Sequence, residues 1–378
     1  MAYINTVFHE LSKILPRHDI DRLDRQYGPG DGRRKSSRYA QFIVMLMAQI
    51  LRLGSLRDIE EAQKSKRKKL YHMGVKALIT RSALSRMNEE RSADFFKDVF
   101  GVLAKACKAH APHSKFHLSG VNELILMDAT TIQLCLAVFP WASYTQTKGA
   151  IKLHFGLNDD GYLPEFMVAT KGNVHEINVS KTVEFPAGSM LCMDRGYTDY
   201  EWWEELSAKG VYFVTRLKTN AVYEEIRHRA GRKSKNVQDD ETILLNGTQT
   251  PFRLIHYTDP VEQHEYHFIT NATHLPAQTI ADIYKERWKI ELFFKWIKQN
   301  LKIKSFLGTS VNAVMTQVWV ALCLYLLLSF IQFTSQTSHT IREILNWIRI
   351  NLFTTEILDD YLVPKLTEPI VNPQLSLF

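Results

Sequence analysis

Tyr284 to Lys302 reads YKERWKIELFFKWIKQNLK. The stretch contains no Gly or Pro and is rich in helix formers, so it is predicted to be one helix of more than four turns. At about 100° per residue, Tyr284, Arg287, Glu291 and Lys298 fall within an arc of roughly 60°. Ile283, Trp288, Phe294 and Ile297 flank that arc. An acid, two bases and a phenol thus share one stripe of an otherwise apolar helix, a surface suited to metal and phosphate. The alternative is a solvated face held by i,i+4 pairs such as Glu291 with Lys295.

The spacing Y-(2)-R-(3)-E-(6)-K in this stretch resembles the signature of the insertion-sequence-4 family, bacterial cut-and-paste transposases of the DDE class. Other parts of the chain bear on that resemblance. Its 378 residues imply two or three domains, and 45% hydrophobic with 23% charged residues is ordinary globular composition. The net charge is +7 and unevenly spread. Residues 1–110 hold 22 Lys and Arg against 12 Asp and Glu, whereas the remainder holds 25 against 28. That asymmetry suits an N-terminal nucleic-acid-binding part and an acidic site elsewhere.

Two basic runs stand in the N-terminal part: Arg33, Arg34, Lys35 and Arg38, then Lys64, Lys66, Arg67, Lys68 and Lys69. Ser55 is expected to cap a helix SLRDIEEAQKS, with Asp58 as an imperfect capping-box partner. Helical segments follow, and Arg81, Ser82, Ser85 and Arg86 open one of them in a manner that resembles a helix-turn-helix DNA reader. Cys107, Cys135, Cys192 and Cys323 are scattered without metal-site spacing and are read as free thiols in a reducing cytoplasm. The start MAYINTVFHELSKIL is amphipathic and unlike a signal peptide. Val318–Phe333 is almost wholly apolar, but its 16 residues fall short of the roughly 20 a bilayer needs, so it is read as a buried core helix.

From about residue 116 short apolar runs take over. Asn122–Thr131, Lys152–Asn158 and Tyr162–Thr170 read as an antiparallel meander. A helical stretch near Glu176, a buried strand Ser189–Met193 ending at Asp194, a helix DYEWWEELSAKG and a fifth strand VYFVTRL follow. This order resembles the ribonuclease H-like fold, in which the first and fourth strands lie side by side. That adjacency would join the strand ends carrying Asp128 and Asp194. Between Leu217 and Leu275, the segments AVYEEI, ETILLNG, FRLIHYTD and EYHFITNA read as an inserted β subdomain.

Asp128, Asp194 and Glu291, in the order strand, strand, helix, fit a two-metal phosphoryl-transfer site. Mg²⁺ is a hard ion that takes carboxylate and phosphate oxygens, and two ions about 4 Å apart can serve the attacking and the leaving oxygen. The gaps of 66 and 97 residues between successive acids leave room for the insertion. The resemblance implies a DDE triad of these three residues holding two Mg²⁺ ions, with Mn²⁺ as a substitute. It implies that Tyr284, Arg287 and Lys298 hold phosphates of the transposon end. It further implies that Trp288 lies near the flipped base of a hairpin intermediate, unless Trp288 is a core residue. Tyr266 and Phe268 are weak matches for a second stacking aromatic. His154 and His175 receive no catalytic role.

The expected fold class is α/β, a ribonuclease H-like core with an inserted β subdomain, an N-terminal helical DNA-binding domain and a C-terminal helical tail. The expected boundaries are 1–115 for the basic helical domain, 116–218 and 275–304 for the core, 219–274 for the insertion and 305–378 for the tail. The expected function is metal-dependent cleavage at insertion-sequence ends and strand transfer into target DNA. The alternative is a transposase-derived repressor that binds without cutting. Expected partners are double-stranded DNA, at transposon ends and target, and a second copy in the DNA complex. The expected location is the bacterial cytoplasm, at the nucleoid when DNA is bound.

Overall fold

The computed structural model describes residues 5–28, 36–116, 118–143, 148–229, 236–300 and 306–362. Arg33, Arg34 and Lys35 lie outside these residues. The chain divides into two compact units, Met1–Ala111 with Asn312–Phe378, and Pro112–Val311. The segment from Asn312 onward thus groups with the N-terminal residues.

The first unit is helical: α1 (Val7–Lys13), α2 (Arg17–Gln26), α3 (Arg38–Leu51), α4 (Leu56–Ser65), α5 (Arg67–His72), α6 (Arg81–Glu90) and α7 (Asp94–Lys108). Ser37 Oγ caps α3 by accepting from the Ala40 amide, and α3 is buried on every side from Arg38 to Ile50, as its largely apolar sequence requires, with Arg38, Gln41 and Gln49 buried among the apolar residues. It stops where Arg52 takes a left-handed conformation at φ 55° and the Leu53 amide donates back to the Ala48 carbonyl. Ser55 then caps α4 through the Asp58 amide, as expected. Between α6 and α7 the helical path breaks near Arg91. Arg91 is itself buried, donating to Gln41 Oε1 and the Ser36 carbonyl.

The second unit is built on a sheet. Among the described residues nine strands form it: β1 (Glu123–Leu134), β2 (Gly149–Asn158), β3 (Pro164–Lys171), β4 (Ser189–Met193), β5 (Tyr212–Arg216), β6 (Tyr223–His228), β7 (Val237–Leu245), β8 (Phe252–Thr258) and β9 (Glu265–Thr270). Their spatial order is β3-β2-β1-β4-β5-β9-β8-β7-β6. β1 to β3 form the expected meander, and β4 and β5 join in parallel. The segments read as an inserted subdomain extend this same sheet, because β9 returns antiparallel to β5. Backbone pairing thus continues across the join, which no local pattern could reveal.

The helices of this unit are α8 (Glu176–Ser180), α9 (Tyr200–Ala208), α10 (Ala277–Glu286) and α11 (Trp288–Asn300). Side chains alternate across a sheet. Ile125, Met127, Leu191 and Met193 therefore share one face, where they pack with Trp202 and Trp203 of α9. The opposite face carries Cys192, whose thiol lies 3.6 Å from the Ile283 carbonyl of α10, and Phe155, which meets Phe293 and Phe294 of α11.

The chain then returns to the first unit through α12 (Val311–Ser335), α13 (Ile341–Asn351) and α14 (Leu358–Leu362). α12 is longer than its apolar core suggested. At 25 residues it is long and apolar enough to cross a bilayer, but 89% of its most apolar window is buried inside the protein. The reading as a core helix rests on that burial, not on length. Thr340 and Glu343 form a capping box at the start of α13.

Candidate active site

The site is organised by the parallel pairing of β1 with β4. Met127 is opposite Met193, and the next residues are Asp128 and Asp194. Both acids have the parity of the face covered by α10 and α11. Gly188 helps set this register. It sits at φ +85°, a side chain there would meet Asn122, and its carbonyl accepts from the Asn122 amide at 2.8 Å.

Asp128 is not at the end of its own strand. β1 continues to Leu134 beside β2, but β4 stops at Met193. Asp128 stands where β1 loses its parallel neighbour, so its carboxylate gains space that the sheet interior denies. Its Oδ1 accepts from the Ala129 amide at 2.7 Å. Burial drives its pKa up to about 7, with Asp194 and Glu291 adding repulsion and Arg287 and the Ala129 amide opposing it. Asp194 caps the short turn Arg195–Tyr197, its Oδ1 accepting from the Gly196 amide at 2.7 Å. Its carbonyl accepts from Thr215 Oγ1 at 3.0 Å.

The helix quoted first is two helices. α10 ends at Glu286 and α11 begins at Trp288, with Arg287 at the junction. The Arg287 amide donates to Tyr284 and its carbonyl accepts from Ile290, both three residues away, so the turn tightens there. The forked guanidinium spans two carboxylates, with Nη1 3.2 Å from Asp128 Oδ2 and Nη2 2.7 Å from Glu291 Oε1. Glu291 thus pairs with Arg287 rather than with Lys295. Burial opposes its charge, but neighbouring Tyr284 and then the carboxylates of Glu291 and Asp128 hold Arg287 above its ordinary range.

Tyr284 is buried against Phe268, with ring centroids 4.9 Å apart, and lies between the guanidiniums of Arg216 and Arg287. Trp288 is 58% exposed, which removes its reading as a core residue. Lys298 is half-buried further along α11. The structure therefore ties Arg287, Asp128 and Glu291 directly, sets Asp194 beside Asp128, and leaves Tyr284 and Lys298 at the margins.

Beside the junction opens a pocket of about 600 Å³. Tyr257, Tyr266, Phe268, Tyr284 and Trp288 line it with Arg216, Lys285 and Arg287. Tyr266 and Phe268 are stacked 5.6 Å apart and nearly parallel. Sequence reasoning missed Arg216, and it missed Glu286, which receives Lys115 Nζ and the Tyr162 hydroxyl although buried. No motif marks either residue. The only sequence hint for Glu286 was an acid on the apolar side of its helix.

Among the described residues, no three His, Cys, Asp or Glu side chains are close enough to hold one ion. The donor chemistry nevertheless fits a hard divalent cation. Asp128 and Asp194 directly follow paired residues of adjacent strands, and burial with carboxylate repulsion disfavours Asp128 as an anion even with Arg287 beside it. Glu291 would complete the set on release from Arg287.

In the helical unit the basic runs are partly engaged. Arg38 is buried and donates to the Gly28 and Tyr27 carbonyls and to Asp24, so it serves the fold rather than a DNA surface. Lys64 pairs with Glu60 and Glu61, Lys66 lies over Phe353, and Lys69 donates to the Phe353 carbonyl. Arg67 and Lys68 are exposed, as are Arg81, Ser82, Ser85 and Arg86 on the outer face of α6. His154 is buried and bonded to Thr170 Oγ1, and burial pushes its pKa down to about 4. Cys107, Cys192 and Cys323 are buried free thiols, and Cys135 is an exposed one.

Residues 119–327 match the transposase DDE domain family. Residues 4–76 match a domain of unknown function (DUF4372). The chain is 32% identical over 253 residues to a putative transposase of Sinorhizobium fredii, covering 65% of this chain and 69% of that protein. It is 29% identical to a probable transposase for insertion sequence element IS5377 of Geobacillus stearothermophilus, covering 66% of this chain and 67% of that protein. A putative transposase for insertion sequence element IS4SA of Synechocystis sp. is 24% identical, over 71% of this chain and 76% of that protein. DDE transposases generally use divalent metal ions and act by metal-dependent DNA cleavage and strand transfer. With the family match covering more than half of its length, this chain belongs to the DDE-domain transposases.

Proposed function

We propose that Asp128, Asp194 and Glu291 are the catalytic triad and would hold two Mg²⁺ ions, in a ribonuclease H-like core of the insertion-sequence-4 type. The observation that carries this reading is the register of β1 on β4, which sets Asp128 beside Asp194 while one guanidinium ties Asp128 to Glu291. The central strand order β3-β2-β1-β4-β5, three antiparallel strands followed by two parallel ones, supports the fold name. When bound, the ions would activate the attacking oxygen and stabilise the leaving one.

The protein's own groups do the rest. The packed sheet and α11 hold the three acids on rigid elements, so little reorganisation is needed on reaction. Arg287 compensates the acids and, in the Y-R-E-K reading, exchanges a carboxylate for a phosphate oxygen as DNA enters. Lys298 extends that grip along α11. Exposed Trp288, with Tyr266 and Phe268 across the pocket, offers faces on which an unstacked base can lie. The helical unit, with Arg67, Lys68 and the exposed face of α6, would contact flanking duplex. A homodimer at paired ends, acting at the bacterial nucleoid, completes the proposal.

The test is a time course on a duplex carrying the inverted repeat that flanks the reading frame, with Mg²⁺ or Mn²⁺. Nicking at the element boundary that Asp194→Ala abolishes without loss of end binding is the expected result. Boundary nicking by Asp194→Ala at the parent rate would remove Asp194 from the triad.

A further inference from the structure

A second pocket, of about 530 Å³, lies away from the acids, on the β6 to β9 part of the sheet. Its charged lining is Arg227, Arg229 and Arg253 with the single carboxylate Asp240, and two histidines, His228 and His274. Arg253 and Asp240 account for each other. The guanidinium bonds both carboxylate oxygens at 2.8 and 2.7 Å and also donates to the Ala272 and Leu275 carbonyls. Arg253 is buried, Asp240 largely so, and the pair belongs to the fold.

Arg227 and Arg229 are left as surplus positive charge. Arg229 donates to the Thr273 carbonyl, but its nearest acid is Asp240 at 3.7 Å, already held by Arg253. Burial and then repulsion from Arg253 push its pKa down, with Arg227 adding to that repulsion. Arg227 is exposed. Glu225 and Asp239 turn to the His228 ring, at 2.8 and 3.3 Å, rather than to either arginine. Thr273, Leu275 and Pro276 complete the wall and lead into α10, which Pro276 caps without a side-chain bond. Its first amides therefore add the positive end of a helix dipole to the same space.

We infer that this pocket binds backbone phosphate of duplex DNA through Arg227 and Arg229. The inference rests on the transposase assignment only for the choice of DNA as the polyanion. α10 runs from this pocket to Arg287, and ten residues span about 15 Å. On one strand, B-DNA advances about 3.4 Å per nucleotide. A duplex lying along α10 with its cut phosphate at the acids would pass this pocket about four or five base pairs away. A small anion would gain from the same charges but not from that alignment.

The experiment measures binding of a fluorescent duplex of about 30 base pairs by the full chain across NaCl concentrations, without divalent metal. Each phosphate contact contributes about 0.9 to the slope of log affinity against log salt. The Arg227→Ala, Arg229→Ala double variant should lower that slope by about 2, and Arg227→Ala alone, at an exposed position, by about 1. Arg227→Lys should keep the parent slope. A parent slope in Arg227→Ala and in the folded double variant would overturn the inference. So would inorganic phosphate binding to the pocket with no change in the duplex slope. Boundary nicking by the same double variant separates the outcomes, because loss of the salt effect leaves the triad assignment standing and loss of nicking in Asp194→Ala leaves the pocket standing.

Discussion

The two halves of the site are built on different physics. Asp128 and Asp194 are fixed by strand register, in which every residue of β1 from Glu123 to Met127 has a partner in β4. Arg287 and Glu291 are fixed by a break between helices, held by groups far away in sequence: Asp128 on Arg287, and Lys115 and Tyr162 on Glu286. A sheet transmits position through repeated backbone bonds, so one side-chain change moves little. A helix junction depends on a few side-chain ties, so the same change can shift it. The acids at the strands should therefore fail chemically when mutated, and the junction should fail structurally.

The sharpest break of the comparison is at the strands. Asp128→Ala and Asp194→Ala should each lower metal-dependent nicking on the order of a thousandfold or more, since charge stabilisation at the reacting centre is the main task of such a site. The melting temperature of Asp194→Ala should stay near the parent's, and in Asp128→Ala the relief of a carboxylate disfavoured by burial should offset much of the lost bond to Arg287. A large fall in stability with normal nicking in the folded fraction would make these acids structural.

Next in size is a pH effect confined to the sheet. His154 sits opposite Ala129, next to Asp128, and burial lowers its pKa from 6.5 to about 4. A folded-state pKa below the unfolded one means that the unfolded chain binds the proton more readily. The contribution is thus complete above about pH 6.5 and is lost as pH falls towards 4, up to about 3 kcal/mol. Asp128, raised to about 7, gains stability over the same fall in pH, so the His154 loss is read as the difference between parent and His154→Gln from pH 7 to pH 4, with His154→Gln the less acid-sensitive of the two. An unchanged pH profile in His154→Gln would assign the acid sensitivity to other groups.

The same contrast explains what the sequence could show. Ser189–Met193 was legible to the residue because a short apolar run ending in Asp194 has no helical alternative, and α4 was legible because Ser55 supplies its own cap. Asp128 was legible as an acid following an apolar run, but not as a mid-strand residue, because the strand that ends there is β4. The junction was invisible. YKERWKIELFFK has continuous helical propensity, and the tertiary bonds to Glu286 and Arg287 that accompany the break leave no mark on that period. The joining of β9 to β5 was hidden for the same reason, since alternation identifies strands but not their neighbours. The roles of Arg38 and Arg91 in the fold also lay beyond composition, which counts a buried guanidinium and a DNA-facing one alike.

At the junction, Glu286→Ala removes an acceptor shared by Lys115 and Tyr162. Lys115 is largely exposed and can turn to water, but Tyr162 is half-buried. A loss of about 2 kcal/mol is expected, the scale of a polar group left unsatisfied plus a small void. Because the α10–α11 break would loosen with it, nicking should fall along with stability, unlike in the strand variants. Stability loss with full nicking in the folded fraction would separate the junction from the chemistry and undo the comparison.

The smallest effect should come from Arg287→Lys, and it tests the idea most directly. The guanidinium reaches Asp128 and Glu291 at once because its two terminal nitrogens diverge in one plane. An ammonium is a point donor on a flexible stem, so it can keep one carboxylate well but not both at these distances. The cost in stability is then one partly exposed ion pair, about 0.5–1 kcal/mol. Arg287→Ala should cost more, since it leaves two neighbouring carboxylates without their shared cation. The informative quantity is how the two losses divide between binding and chemistry. If the fork matters for holding acids and phosphate in one geometry, Arg287→Lys should nick slowly at saturating DNA while binding ends almost normally. If Arg287 supplies only charge, Lys should restore nicking and Ala should not. Equal nicking by parent, Lys and Ala variants would reduce Arg287 to a surface contact of a broken helix, and the junction would have no part in the site.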